Sequence, residues 1–103
     1  MTKIYNKLVR DKIPDIIRAD GHELSMRILD DTEYLDTLVK KLGEEFNEFK
    51  VDMNVEELAD LQEVILALAD ALNITREQLE KVRLDKVAKR GAFEQKIFLE
   101  STQ

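Results

Sequence analysis

The sequence contains no cysteine, which removes disulfides, thiolate metal sites and cysteine nucleophiles from consideration. Pro14 is its only proline, and Gly21, Gly43 and Gly91 are its only glycines. With breakers this scarce, long uninterrupted helices are expected. His22, the one histidine, sits beside Gly21 in an expected turn and reads as structural. No apolar run approaches the roughly 18 residues that a membrane span needs, so no membrane partner is expected. Basic residues are in deficit: 16 Lys and Arg against 22 Asp and Glu leave a net charge of −6. That argues against nucleic acid as a partner, because binding its backbone relies on clustered cations displacing counterions. It does not exclude a small anionic substrate, since a bound divalent cation reverses the sign of the local field.

Hydrophobic residues make up 44% and charged residues 37% of the 103 positions, which fits one soluble, folded domain over residues 1–103. The opening Met1-Thr2-Lys3-Ile4-Tyr5-Asn6-Lys7 has neither the apolar core of a secretory signal nor the acid-poor character of a transit peptide, and the expected location is cytoplasmic. A chain of this length buries only about two-thirds of the surface its unfolded form exposes. A second subunit would supply the missing core.

The spacing predicts a short helix through Arg10–Arg18, with Pro14 in its first turn and Gly21 ending it. Leu24, Met26 and Ile28 alternate with Ser25 and Arg27, a pattern of short extended chain able to pair with the tail at Ile97, Phe98 and Leu99. From an N-cap at Asp31, the residues Leu35, Leu38, Val39, Leu42, Phe46 and Phe49 recur at helical spacing over about 32–52. Asn54 and Glu57 form a capping pair that opens a second long helix, striped by Leu58, Leu61, Val64, Ile65, Leu68 and Leu72. The connection is short, so these two helices are expected to be antiparallel. Thr75 and Gln78 cap a third helix, through Leu79, Val82, Val87 and Ala88, that Gly91 closes. The expected fold is all-α, a small helical bundle with a minor extended segment.

Two acidic clusters carry the chemistry: Glu44-Glu45-Phe46-Asn47-Glu48 on the first long helix and Glu56-Glu57-Leu58-Ala59-Asp60 on the second. At roughly 100° per residue, Glu45 and Glu48 flank the stripe of Leu42, Phe46 and Phe49 one turn apart. Glu57 falls inside the apolar arc of its helix, and Asp60 follows one turn on along its edge. A single glutamate-rich helix is ordinarily a solvated face; two such clusters on successive antiparallel helices, one intruding on an apolar arc, are not. Crowding four carboxylates at a seam is costly without a cation. Lys40, Lys41 and Lys50 stand nearby but in the less favourable helix orientation. A hard divalent ion, magnesium or manganese, is the cheaper remedy, and an all-carboxylate set with no histidine in reach suits it.

Lys81, Arg83, Lys86, Lys89 and Arg90 crowd the third long helix before Gly91. The helix dipole favours such a basic end without any function; beside an acidic metal site, it offers a clamp for phosphate oxygens. Lys7, Arg10 and Lys12 read equally as a second set of phosphate contacts or as surface charge. Tyr5, Tyr34 and the four phenylalanines read as core rather than as base-stacking platforms.

Glu44-Glu45-x-x-Glu48 followed by Glu57-x-x-Asp60 resembles the signature of the all-alpha NTP pyrophosphatase superfamily, which includes MazG-like enzymes and phosphoribosyl-ATP pyrophosphohydrolase. Lys7-Leu8-Val9-Arg10-Asp11-Lys12-Ile13-Pro14 and Lys89-Arg90-Gly91-Ala92-Phe93 are similar to a compact MazG-like, house-cleaning branch, so the resemblance spans nearly the whole chain. It implies a four-helix-type core completed in a homodimer or homotetramer, and hydrolysis of a nucleoside triphosphate to monophosphate and pyrophosphate. Glu45, Glu48, Glu57 and Asp60 would be the magnesium ligands, and Glu44 would support them or position the attacking water. Lys86, Arg90, Arg10 and Lys7 would face the phosphates. The eight residues between Glu48 and Glu57 make a shorter connection than many MazG relatives have, which leaves the substrate open. Val64 stands where phosphoribosyl-ATP pyrophosphohydrolases carry a histidine, which counts against that alternative. A non-catalytic helical adaptor is the reading from another class.

Overall fold

Capping chemistry sets the ends of the long helices, which the computed structural model describes within residues 2–103. After a short α1 (Ile13–Ala19), α2 spans Asp31–Val51, α3 Val55–Ala71 and α4 Arg76–Arg90. The side chain of Asp30, not Asp31, caps α2 by accepting from the Glu33 N–H at 2.8 Å. The helix thus starts one residue earlier than the sequence suggested, because either aspartate can cap and only Asp30 stands three before Glu33. Asn54 accepts from the Glu57 N–H at 2.9 Å. Thr75 and Gln78 form the full reciprocal capping box of α4. Gly91 ends that helix at φ +82° and ψ 175°, a backbone region that is essentially closed to residues with a Cβ.

No strand forms among the described residues. The expected extended segment does not pair with the tail: Leu24 and Leu29 are half-buried, Met26 and Ile28 face solvent, and so do Ile97, Phe98 and Leu99. One alternating run without a second and third strand leaves its backbone groups to water and gains no sheet stability. No helix among the described residues is long and apolar enough to cross a membrane.

The fold is therefore all-α, built on the α2–α3 hairpin, whose turn is residues 52–54. Along α2 the inward seam is Leu35, Leu38, Leu42, Glu45 and Phe49; along α3 it is Glu57, Leu61, Val64, Leu68 and Ala71. Both follow the alternating three- and four-residue steps of paired helices. Among the described residues, only Leu38, Val64 and Ala69 are buried hydrophobic residues. Helix α4 touches α3 alone among the helices, and only Leu79 near its start is half-buried. The radius of gyration is 18.2 Å, with extents of 62 × 31 × 24 Å; a self-contained chain of this length has about 13 Å.

Candidate metal centre

Two carboxylates occupy seam positions where apolar residues would be expected. On α2 the sequence placed Phe46 in the apolar face and Glu45 at its border. The structure reverses them: Glu45 is 7% exposed within the seam, and Phe46 is 53% exposed beside it. On α3, Glu57 lies inside the arc as the spacing indicated, and Asp60 follows it at the edge. Capping by Asn54 fixes the first turn of α3 and so aims Glu57 at the facing helix. One carboxylate oxygen from each of Glu45, Glu57 and Asp60 lies within 4.8 Å of the other two.

Basic partners cover part of this charge. Arg10 donates from Nη2 to Asp60 Oδ1 at 2.6 Å, across 50 residues of sequence. Lys41 Nζ is 3.4 Å from Glu45 Oε1 and 3.6 Å from Glu44 Oε2. The sequence reading discounted Lys41 for its orientation; its (i,i+4) spacing to Glu45 was the signal that it would pair. Glu45 Oε2 and Glu57 Oε2 remain buried with no hydrogen-bond partner. Orphaned carboxylate oxygens of this kind are rare and costly in a folded chain.

Burial is the main cause that pushes the Glu45 carboxyl above its ordinary range; the neighbouring Glu48 carboxylate adds to it, and Lys41 opposes it. Burial likewise raises Glu57, followed by the charges of Asp60, Glu45, Asp52 and Glu56. A carboxyl whose folded pKa is raised binds its proton better folded than unfolded. Its stabilising contribution is thus present below the ordinary value of 4.5 and is lost as pH climbs through the raised one. Glu33 and Glu80, lowered chiefly by hydrogen bonds from Arg27 and Arg83, lose their contribution only as pH falls and act outside this window. In chelator, the urea midpoint is expected to fall as pH rises above the ordinary carboxylate range. A midpoint that holds or rises as pH climbs past that range would contradict the burial of these acids.

The donor set fits magnesium. Oxygen ligands at about 2.1 Å in octahedral array lie about 3 to 4.2 Å apart, so small side-chain rotations close the observed spacing. Glu48 stands one turn beyond Glu45 on the exposed side, outside the group of three. Glu44 is exposed and held by Lys41, so it reaches the cluster only through that lysine. Lys86 is exposed on α4, Arg90 lines a recess formed with residues 91–97, and Lys7 lies 5.7 Å over the Tyr5 ring. Of the four basic candidates, Arg10 alone contacts a clustered carboxylate.

No family model matches the chain, and no solved structure matches it. A 44-residue stretch, 43% of the chain, is 48% identical to an uncharacterized protein of Mycolicibacterium smegmatis and spans 45% of that protein's length.

Proposed function

We propose that the chain is a metal-dependent nucleoside triphosphate pyrophosphohydrolase of the MazG-like kind, which its acidic motifs resemble. The observation that carries this reading is that Glu45 and Glu57 each bury an unpartnered carboxylate oxygen at the α2–α3 seam, where one oxygen from each of them and from Asp60 lies within 4.8 Å of the others. Such a pair costs folding free energy unless a cation completes it. Magnesium or manganese bound there supplies charge neutralisation of the triphosphate and lowers the pKa of the attacking water.

Glu45, Glu57 and Asp60 would hold the ion, and Glu48, one turn beyond Glu45 on the exposed side, would join them only by a side-chain movement. Lys41 stands 3.4 Å from Glu45 Oε1, which leaves Oε2 without a partner, and Glu44 steadies Lys41 in turn. Water attacks the α-phosphorus, and the bond from that phosphorus to the α–β bridging oxygen breaks. Pyrophosphate leaves, and the monophosphate remains. Lys86 and Arg90 stand apart within one chain and enter no step. A house-cleaning role on non-standard nucleotides agrees with the resemblance; Val64 in place of a histidine keeps phosphoribosyl-ATP second.

A second copy of the chain completes the bundle on this reading. Val39 and Phe46 on α2, and Leu58, Ile65 and Leu72 on α3, repeat every seven residues next to the inner seam and are all exposed. Heptad stripes are the pattern by which helices pack on further helices.

The test measures melting temperature in magnesium, manganese and chelator, together with pyrophosphate release from a panel of common and modified nucleoside triphosphates. Either ion is expected to raise the melting temperature by mass action, and release is expected only with metal present. A chain indifferent to all three conditions is the helical adaptor instead.

A further inference from the structure

Arg10 sits on the carboxylate that the ion would need. Its guanidinium is 2.6 Å from Asp60 Oδ1, and an Asp60 oxygen belongs to the group that converges within 4.8 Å on Glu45 and Glu57. Resting on the metal-site reading above, we propose that Arg10 is a resident counter-cation, which holds the carboxylates together while no metal is bound and gives up Asp60 when a divalent ion enters.

Three observations support this exchange. First, the two orphaned oxygens belong to Glu45 and Glu57, while Asp60 is partnered: Lys41 serves Glu45 alone of the cluster, and the arginine covers Asp60. Second, the Arg10 side chain is 60% exposed, as befits a group that is able to leave. Third, it issues from irregular chain just before α1, and no helix confines it. A guanidinium and a divalent ion a few ångströms apart repel each other, and the ion, with twice the charge, wins the carboxylate. The freed fork then stands at the edge of the site, where its planar donors match phosphate oxygens bidentately. One side chain would thus neutralise the acids in the empty site and the triphosphate in the filled one.

The alternative is that Arg10 stays on Asp60 and orients it as a ligand. The two roles predict opposite signs in metal affinity. Manganese would be titrated calorimetrically into the full-length chain as wild type, Arg10→Gln, Arg10→Lys and Glu57→Gln, with helix content followed by circular dichroism. Arg10→Gln is expected to bind manganese about tenfold more tightly, a factor equal to ~1.4 kcal/mol. Arg10→Lys, which keeps the charge but loses the fork, is expected to fall between Arg10→Gln and wild type, and Glu57→Gln to lose binding. At saturating metal, Arg10→Gln is expected to raise KM for the triphosphate more than it lowers kcat. Unchanged or weaker manganese affinity in Arg10→Gln, with Glu57→Gln still defective, overturns the exchange and leaves the carboxylate site standing. Absence of binding in both wild type and Arg10→Gln overturns the site reading itself.

Discussion

Glu45→Leu is expected to make the metal-free chain more stable and the chain in magnesium inactive. Glu45 interrupts an otherwise apolar seam between Leu42 and Phe49 and leaves one oxygen buried without a partner. Leucine there extends the stripe of Leu35, Leu38 and Leu42 across to Leu61 and Val64. Replacing a buried charged group with a packed apolar one is often stabilising, and ~1–2 kcal/mol is the expected size here. Lys41 is not stranded by the change, because Glu44 remains 3.6 Å away. For a domain of this size, the melting temperature in chelator should rise by about 5 °C or more. The same variant loses a proposed ligand. Residues that merely support metal ligands are commonly worth 10–100-fold in activity or affinity, so pyrophosphate release should fall by at least about a hundredfold, and added magnesium should no longer raise the melting temperature. Differential scanning fluorimetry in chelator and in magnesium, beside a pyrophosphate assay, measures all three. A Glu45→Leu chain that melts lower without metal, yet releases pyrophosphate at the wild-type rate, would mean that the glutamate is there for structure.

This opposition between stability and proposed function explains which parts of the molecule were readable in advance. Helix ends were readable where the determinant is local: Asn54 with Glu57, Thr75 with Gln78, and Gly91 each act within a few residues. The place of Glu57 inside the apolar arc of α3 was readable for the same reason, since its neighbours Leu61, Val64 and Leu68 define one direction. Glu45 was harder. Helix α2 carries two adjacent apolar stripes, one through Leu38 and Leu42, the other through Val39 and Phe46, and the sequence merged them into one face. Only the packing of α3 decides which stripe turns inward, and it selects the one that contains Glu45. The Arg10–Asp60 contact spans 50 residues and depends on where the chain before α1 lies against the hairpin. No periodicity reports that. The alternation at Leu24, Met26 and Ile28 failed as a strand signal because pairing is a property of two segments, and the tail offers no ladder.

Ile65→Lys is expected to split the proposed assembly into single chains. Ile65 lies between Leu58 and Leu72 in the outer stripe of α3, 44% exposed in the isolated chain, with Phe46 and Val39 forming the matching stripe on α2. An extent of 62 Å and only three buried hydrophobic residues among those described leave the single hairpin short of core. Packing a second hairpin on these stripes would bury them and bring the radius of gyration per residue nearer that of a closed bundle. In a two-fold arrangement every substitution counts twice, so one lysine places two uncompensated charges in the new core and removes two apolar side chains worth about 1.5–3 kcal/mol each. The sum exceeds ~3 kcal/mol, which corresponds to a dissociation constant more than about a hundredfold weaker. Sedimentation velocity over a range of concentrations should return a dimer or larger species for the wild type and a monomer for Ile65→Lys. Glu63→Lys, on the far side of α3, should sediment as the wild type does. Because stability of such an assembly depends on concentration, the wild-type melting temperature should also rise with protein concentration, while that of Ile65→Lys should be lower and constant. A wild-type chain that sediments as a monomer at every concentration would remove the second copy from the proposed site and leave the outer stripe without an occupant.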